Sequence, residues 1–177
     1  MEVLTKMQFV RNSLLPKESI YEVKDFNYKD TSTICSWVKN QEMLSMISGE
    51  KGNGLDADIL EKWITSAIKT IVIHDIKMDK VVGFCTISVN ELPVIRHKCI
   101  ELCHLIFSPE YCLSRYEIGL QLASEAEYMA FLYGFNCIIG RVVTSNNYAI
   151  KLAKKANWKK DDTISDNFIW FKKEKVI

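Results

Sequence analysis

A chain of 177 residues, 48% hydrophobic and 25% charged, is read as a single globular domain over residues 1–177, large enough to bury roughly two thirds of its surface without staples. Its 23 basic and 22 acidic residues leave a net charge of +1 with no face-forming basic run, which excludes nucleic acid as the expected partner. No apolar run reaches the ~20 residues of a membrane span. The opening Met1–Lys6 lacks both the apolar core and the cleavage site of a secretory signal, so no membrane partner and a cytoplasmic location are expected. Cys35, Cys85, Cys99, Cys103, Cys112 and Cys137 sit at irregular spacings and are accordingly read as reduced, mostly buried thiols.

In chain order, Met7–Arg11 reads as a short strand with Pro16 as a break, and Ser19–Phe26 as a second strand with imperfect alternation. Asp30-Thr31-Ser32 supplies helix-start residues ahead of Ile34, Trp37, Val38 and Gln41, whose spacing predicts one helix ending near Met46. A glycine-bearing loop, Ser48–Gly54, separates it from a helix capped by Asp56 and carrying Ile59, Leu60, Trp63, Ile64 and Ala67. Ile71–Ile76 and Val81–Val89 form a hairpin around Lys77–Lys80, and residues 91–97 connect it to the next strand. That strand, Cys99–Phe107, ends at Ser108-Pro109, where proline withholds a ladder donor. A helix from about Glu117 to Tyr133 stops at Gly134, and a strand over Cys137–Val143 leads into a helix from Asn146 to Ala156. Ser165–Lys173 closes the chain as a strand, and there is no internal repeat or linker.

Residues 98–158 carry the chemistry. Two strand-to-helix junctions in succession point to one ligand site at the strand ends. The loop Glu110–Glu117 opens a helix, and unpaired amides at the positive end of a helix dipole are a natural seat for a phosphate. Glu101 interrupts an otherwise apolar strand, where desolvation would raise its pKa towards the range of a working base. His104 lies an odd number of residues away and faces the other side of a regular strand. A bulge would bring both into one cleft, against the plainer reading of a satisfied structural histidine. The Cys-x3-Cys spacing of Cys99 and Cys103 lacks the turn of a tight chelate, and no metal is expected.

The order of elements and these residues together resemble the GNAT superfamily of acyl-coenzyme A-dependent N-acyltransferases over most of the chain. The pattern is most similar to the branch of ribosomal-protein N-terminal acetyltransferases, through the two helices bearing Trp37 and Trp63. The resemblance implies an α/β (α+β) fold with a mixed central sheet of about six to seven strands and about four flanking helices. It places Leu105, Ile106 and Phe107 on the strand that binds the pantetheine arm. Ser114, Arg115, Tyr116, Glu117, Ile118 and Gly119 fall on the pyrophosphate loop, and Asn146 with Ala149, Ile150, Leu152 and Lys155 on the asparagine-led helix. Glu117 stands where the family's loop has a glycine, and Ala153 where many members carry a tyrosine that protonates the leaving thiolate; Arg115 is a compensating phosphate partner.

By that resemblance the chain is an N-acetyltransferase that moves an acetyl group from acetyl-coenzyme A to a primary amine by direct attack. Its partner is then an amine-bearing acceptor of unspecified identity, and edge strands near the C-terminus could pair across a homodimer. Glu101 is the base candidate, against the reading of a solvated or paired strand residue; Tyr148, with Tyr116 and Tyr111, stands in for the missing acid. The departures at Glu117 and Ala153 leave one alternative from another class, a catalytically degenerate GNAT-like binding or regulatory module.

Overall fold

The computed structural model describes residues 20–90, 99–161 and 168–174. The early Met7–Arg11 strand, the 91–97 connection and Ser165–Asn167 lie outside them. Seven strands form one sheet in the order β1-β2-β3-β4-β5-β7-β6. They are β1 (Tyr21–Asp25), β2 (Lys69–Asp75), β3 (Lys80–Asn90), β4 (Cys99–Phe107), β5 (Cys137–Val143), β6 (Lys159–Asp161) and β7 (Phe168–Glu174). The helices among the described residues are α1 (Thr31–Cys35), α2 (Gln41–Ser48), α3 (Ala57–Ser66), α4 (Arg115–Leu132) and α5 (Asn147–Lys155). β1 to β4 pair antiparallel in sequence order, β5 joins β4 parallel through the α4 crossover, and β7 pairs antiparallel with both β5 and β6.

Each face of the sheet has its own core. Ile118, Leu122 and Ala126 of α4 pack on Ile71, Ile73, Ile87, Ile100 and Ile138. On the opposite face Ile34, Leu44, Leu60 and Trp63 from α1 to α3 cover Val72, Phe84 and Ile106. Alternate residues of β2 thus feed opposite cores, as the two-residue period of a strand requires. Between α5, α4 and β7 the buried Glu127 accepts hydrogen bonds from Trp158 Nε1 (2.8 Å) and Lys173 Nζ (2.7 Å), which satisfies its charge.

Three expectations need correction. The single helix over residues 31–46 is two, because Asn40 caps α2 by accepting from Met43 N (2.9 Å), and Val38 O accepts from Leu55 N (2.9 Å) instead of continuing a helix. Gly54 makes that approach possible, since at φ +144° an added Cβ would lie 2.7 Å from Val38 O. The expected closing strand is present as β7, but the chain holds one strand more than expected at this end: the three-residue β6 lies at the sheet edge outside β7, and Lys159-Lys160-Asp161 has no apolar alternation by which to read it as a strand. Finally, Cys99 and Cys137 are not free thiols but a disulfide, with Cα atoms 5.3 Å apart, inside the usual span for such a bond. They are 38 residues apart in sequence and meet only because the parallel crossover sets Ile100 beside Ile138.

Cys35, Cys85, Cys103 and Cys112 remain as thiols. Thiol titration of protein unfolded in denaturant without reductant is therefore expected to give four equivalents, rising to the full six of the sequence after reduction. Six before reduction would show that the bridge does not form.

Candidate active site

The site begins where the sheet stops pairing. β4 and β5 share two rungs, Ile100↔Ile138 and Glu101↔Ile139, although β4 runs on to Phe107 and β5 to Val143. Past those rungs a cleft of ≈ 910 Å³, mouth included, lies between the strands. Ala123 of α4 and Asn146, Ala149, Leu152 and Ala153 at α5 line it on one side of the sheet; Met46, Ile47 and Ser48 of α2 line it on the other. Along this gap the β4 backbone has no strand partner on its β5 side among the described residues, so an extended ligand can take up hydrogen bonds that a neighbouring strand would otherwise make.

At the α5 side of the gap the two helix starts are locked together. Asn146 caps α5 by accepting from Ala149 N (3.0 Å), and Tyr148 Oη donates to Arg115 O (2.6 Å) in the first turn of α4. A Cβ added at Gly119 would fall 2.8 Å from Leu152 Cδ2 and 3.1 Å from Tyr148 Oη, so a larger residue there would force the Leu152 side chain to shift where α4 meets α5. Arg115 lies over the Tyr148 ring (4.6 Å) and Lys155 Nζ over Tyr116 (4.7 Å), two cations beside the amides of the α4 start. Glu117 points outward, exposed, and Ser114 is half-buried, whereas Ile118 is a core side chain. Burial pushes the Tyr148 phenol well above its usual range, with the Arg115 charge acting against it.

Of the strand residues, Leu105 lines the cleft, Ile106 is buried beneath the opposite face, and Phe107 packs edge-on against Tyr148 (5.6 Å). Tyr111 is elsewhere: it donates to Asp75 Oδ2 (2.9 Å), and burial together with that bond pushes its phenol up to about 12.

Glu101 is 4% exposed and lines the cleft; its Oε1 accepts from Arg141 Nε at 2.6 Å. The guanidinium is itself flanked by the rings of Phe168 (5.8 Å) and Trp170 (5.5 Å). Sequence reasoning missed Arg141, although the signal was the same as for Glu101: a lone charge inside an apolar strand. Cys103 also lines the cleft, its thiol raised far above the ordinary range by burial and by the Glu101 charge.

His104 and Glu101 do share the cleft. β3 and β4 slip register between Phe84 and Thr86, where two β4 residues, His104 and Leu105, lie opposite the single Cys85 of β3, and His104 takes φ +51° at this bulge. The imidazole lies flat on Trp63 (4.0 Å between centroids, 4° between planes), and its Nδ1 is 2.7 Å from Thr86 Oγ1. Burial, then the charges of Arg141 and Lys62, lower its pKa to about 4. Asn157 likewise adopts φ +60° after α5, the left-handed stop that asparagine tolerates in place of glycine.

A model of the acetyltransferase (GNAT) family matches residues 41–158, and the chain belongs to that family. No curated protein matches it significantly. Among solved structures it is similar to a phosphinothricin acetyltransferase from Sinorhizobium meliloti in complex with acetyl-CoA, at 16% identity and TM-score 0.69 over 88% of this chain and 89% of that one. It is also similar to spermidine N-acetyltransferase from Vibrio cholerae in complex with CoA and spermine (16%, TM-score 0.63, 88% and 94%). Ribosomal-protein-S5-alanine acetyltransferase from Vibrio fischeri gives 13%, TM-score 0.61, 89% and 94%. At such identities these likenesses show the fold, and they span several branches without favouring the ribosomal-protein one.

The lowered pKa of His104 has a stability consequence. The unfolded chain binds its proton near pH 6.5 and the native state only near 4, so the contribution is fully present above about pH 6.5 and is lost as pH falls towards 4. Between about pH 7.5 and 4.5 the wild type is expected to lose about 2–3 kcal/mol more unfolding free energy than His104→Gln, as read from urea melts. Equal losses in the two proteins would contradict it.

Proposed function

We propose that this protein is an N-acetyltransferase that moves an acetyl group from acetyl-coenzyme A to a primary amine by direct attack. The observation that carries this reading is the two-rung β4–β5 junction opening into a cleft that holds Glu101 and ends at the start of α4. The residues fit such a donor. An unpaired strand edge along Leu105 to Phe107 suits an extended amide-bearing arm, and the α4 start from Ser114 to Gly119, with Arg115 and Lys155 beside it, suits a pyrophosphate. Bound there, the thioester supplies an activated acyl carbon.

The chain's own residues do the rest. Glu101 takes the proton that the amine nitrogen gives up as the new N–C bond forms, and Arg141 fixes the carboxylate's orientation through Oε1. Tyr148 holds the two helix starts together, and its hydroxyl is the proton donor in this reading for the sulfur released as the C–S bond breaks. Ala153, on the cleft wall, offers no hydroxyl. The acceptor enters from the α2 side, past Met46, Ile47 and Phe168, an apolar lip that suits an amine carried on an apolar body more than a bare polycation.

In calorimetric titration acetyl-coenzyme A is expected to bind at micromolar concentration and about tenfold more weakly to Arg115→Ala. In an amine-acceptor screen Glu101→Gln is expected to lower kcat by about 10²–10⁴-fold with donor binding retained. Complete failure of the wild type to bind acetyl-coenzyme A would overturn the proposal.

A further inference from the structure

His104 is held more tightly than a lining residue needs to be. The bulge turns it into the cleft, Trp63 fixes the plane of its ring, and Thr86 takes Nδ1. The hydrogen between Oγ1 and Nδ1 can be assigned from burial. Thr86 is fully buried (0% exposed), and Nδ1 is the one partner of its hydroxyl among the described residues. A hydroxyl has one hydrogen and two lone pairs, and a buried O–H with no acceptor costs more than an unused lone pair. The hydrogen therefore goes to Nδ1, and the ring's own hydrogen sits on Nε2. Nε2 has no partner among the described residues, yet it is not sealed in the core: the one buried side-chain nitrogen left unpaired there is Trp63 Nε1. What His104 presents to the cleft is thus a pre-aimed N–H, neutral at neutral pH because burial and the Arg141 and Lys62 charges disfavour the imidazolium.

Building on the acyl-transfer reading above, we propose that His104 is a catalytic hydrogen-bond donor whose Nε2–H binds the acyl carbonyl oxygen, with Thr86 fixing its tautomer and Trp63 its plane. Acyl transfer makes two demands at once: an acceptor for the amine's proton and a donor for the oxygen that gains negative charge as nitrogen attacks. Glu101 meets the first from the same cleft and the same strand. A donor fixed in advance meets the second without reorganising when charge develops. The competing role for His104, a proton acceptor, needs a lone pair on Nε2 and hence hydrogen on Nδ1, which would leave the Thr86 hydroxyl hydrogen buried without an acceptor.

Two measurements test this. Imidazole 15N shifts in the ligand-free protein near pH 7 should report a neutral ring protonated at Nε2; a ring protonated at Nδ1, or an imidazolium, overturns the proposal. For turnover, His104→Asn keeps a residue that tolerates positive φ but cannot reach the Nε2 position, whereas His104→Gln carries an amide N–H to about that reach. The asparagine variant should lose about 10²–10³-fold in kcat with acetyl-coenzyme A affinity unchanged by calorimetry, and the glutamine variant should recover at least tenfold of that loss. If asparagine stays within threefold of wild type, or glutamine recovers nothing, the role is wrong. A wild type with no turnover on any amine would instead remove the acyl-transfer reading, and the role with it, whatever the 15N shifts report.

Discussion

The two-rung junction between β4 and β5 is the constraint on which the rest of the structure depends. A parallel pair cannot be joined by a tight turn, so the chain must cross over through α4, and that crossover delivers a helix start to the mouth of the gap. Because pairing stops after Glu101 and Ile139, the next residues of both strands are released from the ladder, and their side chains meet across open space. Glu101 and Arg141 are the first consequence: one charge from each strand, joined at the point where the backbone rungs end. The Cys99–Cys137 bridge sits at the other side of those rungs, in a small core with Ile139 and Trp170, and ties the closed end of the gap covalently.

Buried charge elsewhere follows one rule, that each such group is held by hydrogen-bonding partners. Glu127 is held by Trp158 and Lys173. For Asp75, burial pushes the carboxyl up, but hydrogen bonds from the Met78 amide, Tyr111 and the Lys77 amide outweigh it and leave the group below its usual value. These two ties serve packing: one anchors α4 and α5 to β7, the other closes the β2–β3 turn against the residues that follow β4. Glu101 and His104 differ from them in place, since they lie on a cleft wall and not between packed elements. That difference in place is what the proposed roles of Glu101 and His104 rest on.

Much of this was legible in the sequence, for reasons that can be named. The β5 strand from Cys137 to Val143 was bounded correctly because a short apolar run lies between Gly134 and an Asn-led helix start. Asp56 announced α3 because a side-chain acceptor before an amphipathic run has one good use, and it accepts from Ile59 N as such a cap should. The split of the first helix was missed at Asn40, an equally good cap hidden inside a pattern whose apolar spacing runs on through the break. A strand of charged residues such as β6 carries no local signal at all.

By itself, then, the sequence determined most of the order of elements, the loop that opens α4, and the presence of an acid inside an apolar strand. Those are local properties, set by periodicity, capping and composition over a few residues. Only the tertiary structure decided which distant residues would meet. Arg141 finds Glu101 from 40 residues away, Cys137 finds Cys99 across the crossover, and Thr86 and Trp63 converge on His104 from β3 and α3. The bulge that turns His104 into the cleft depends on register with a neighbouring strand, a relation that no window of a single chain contains.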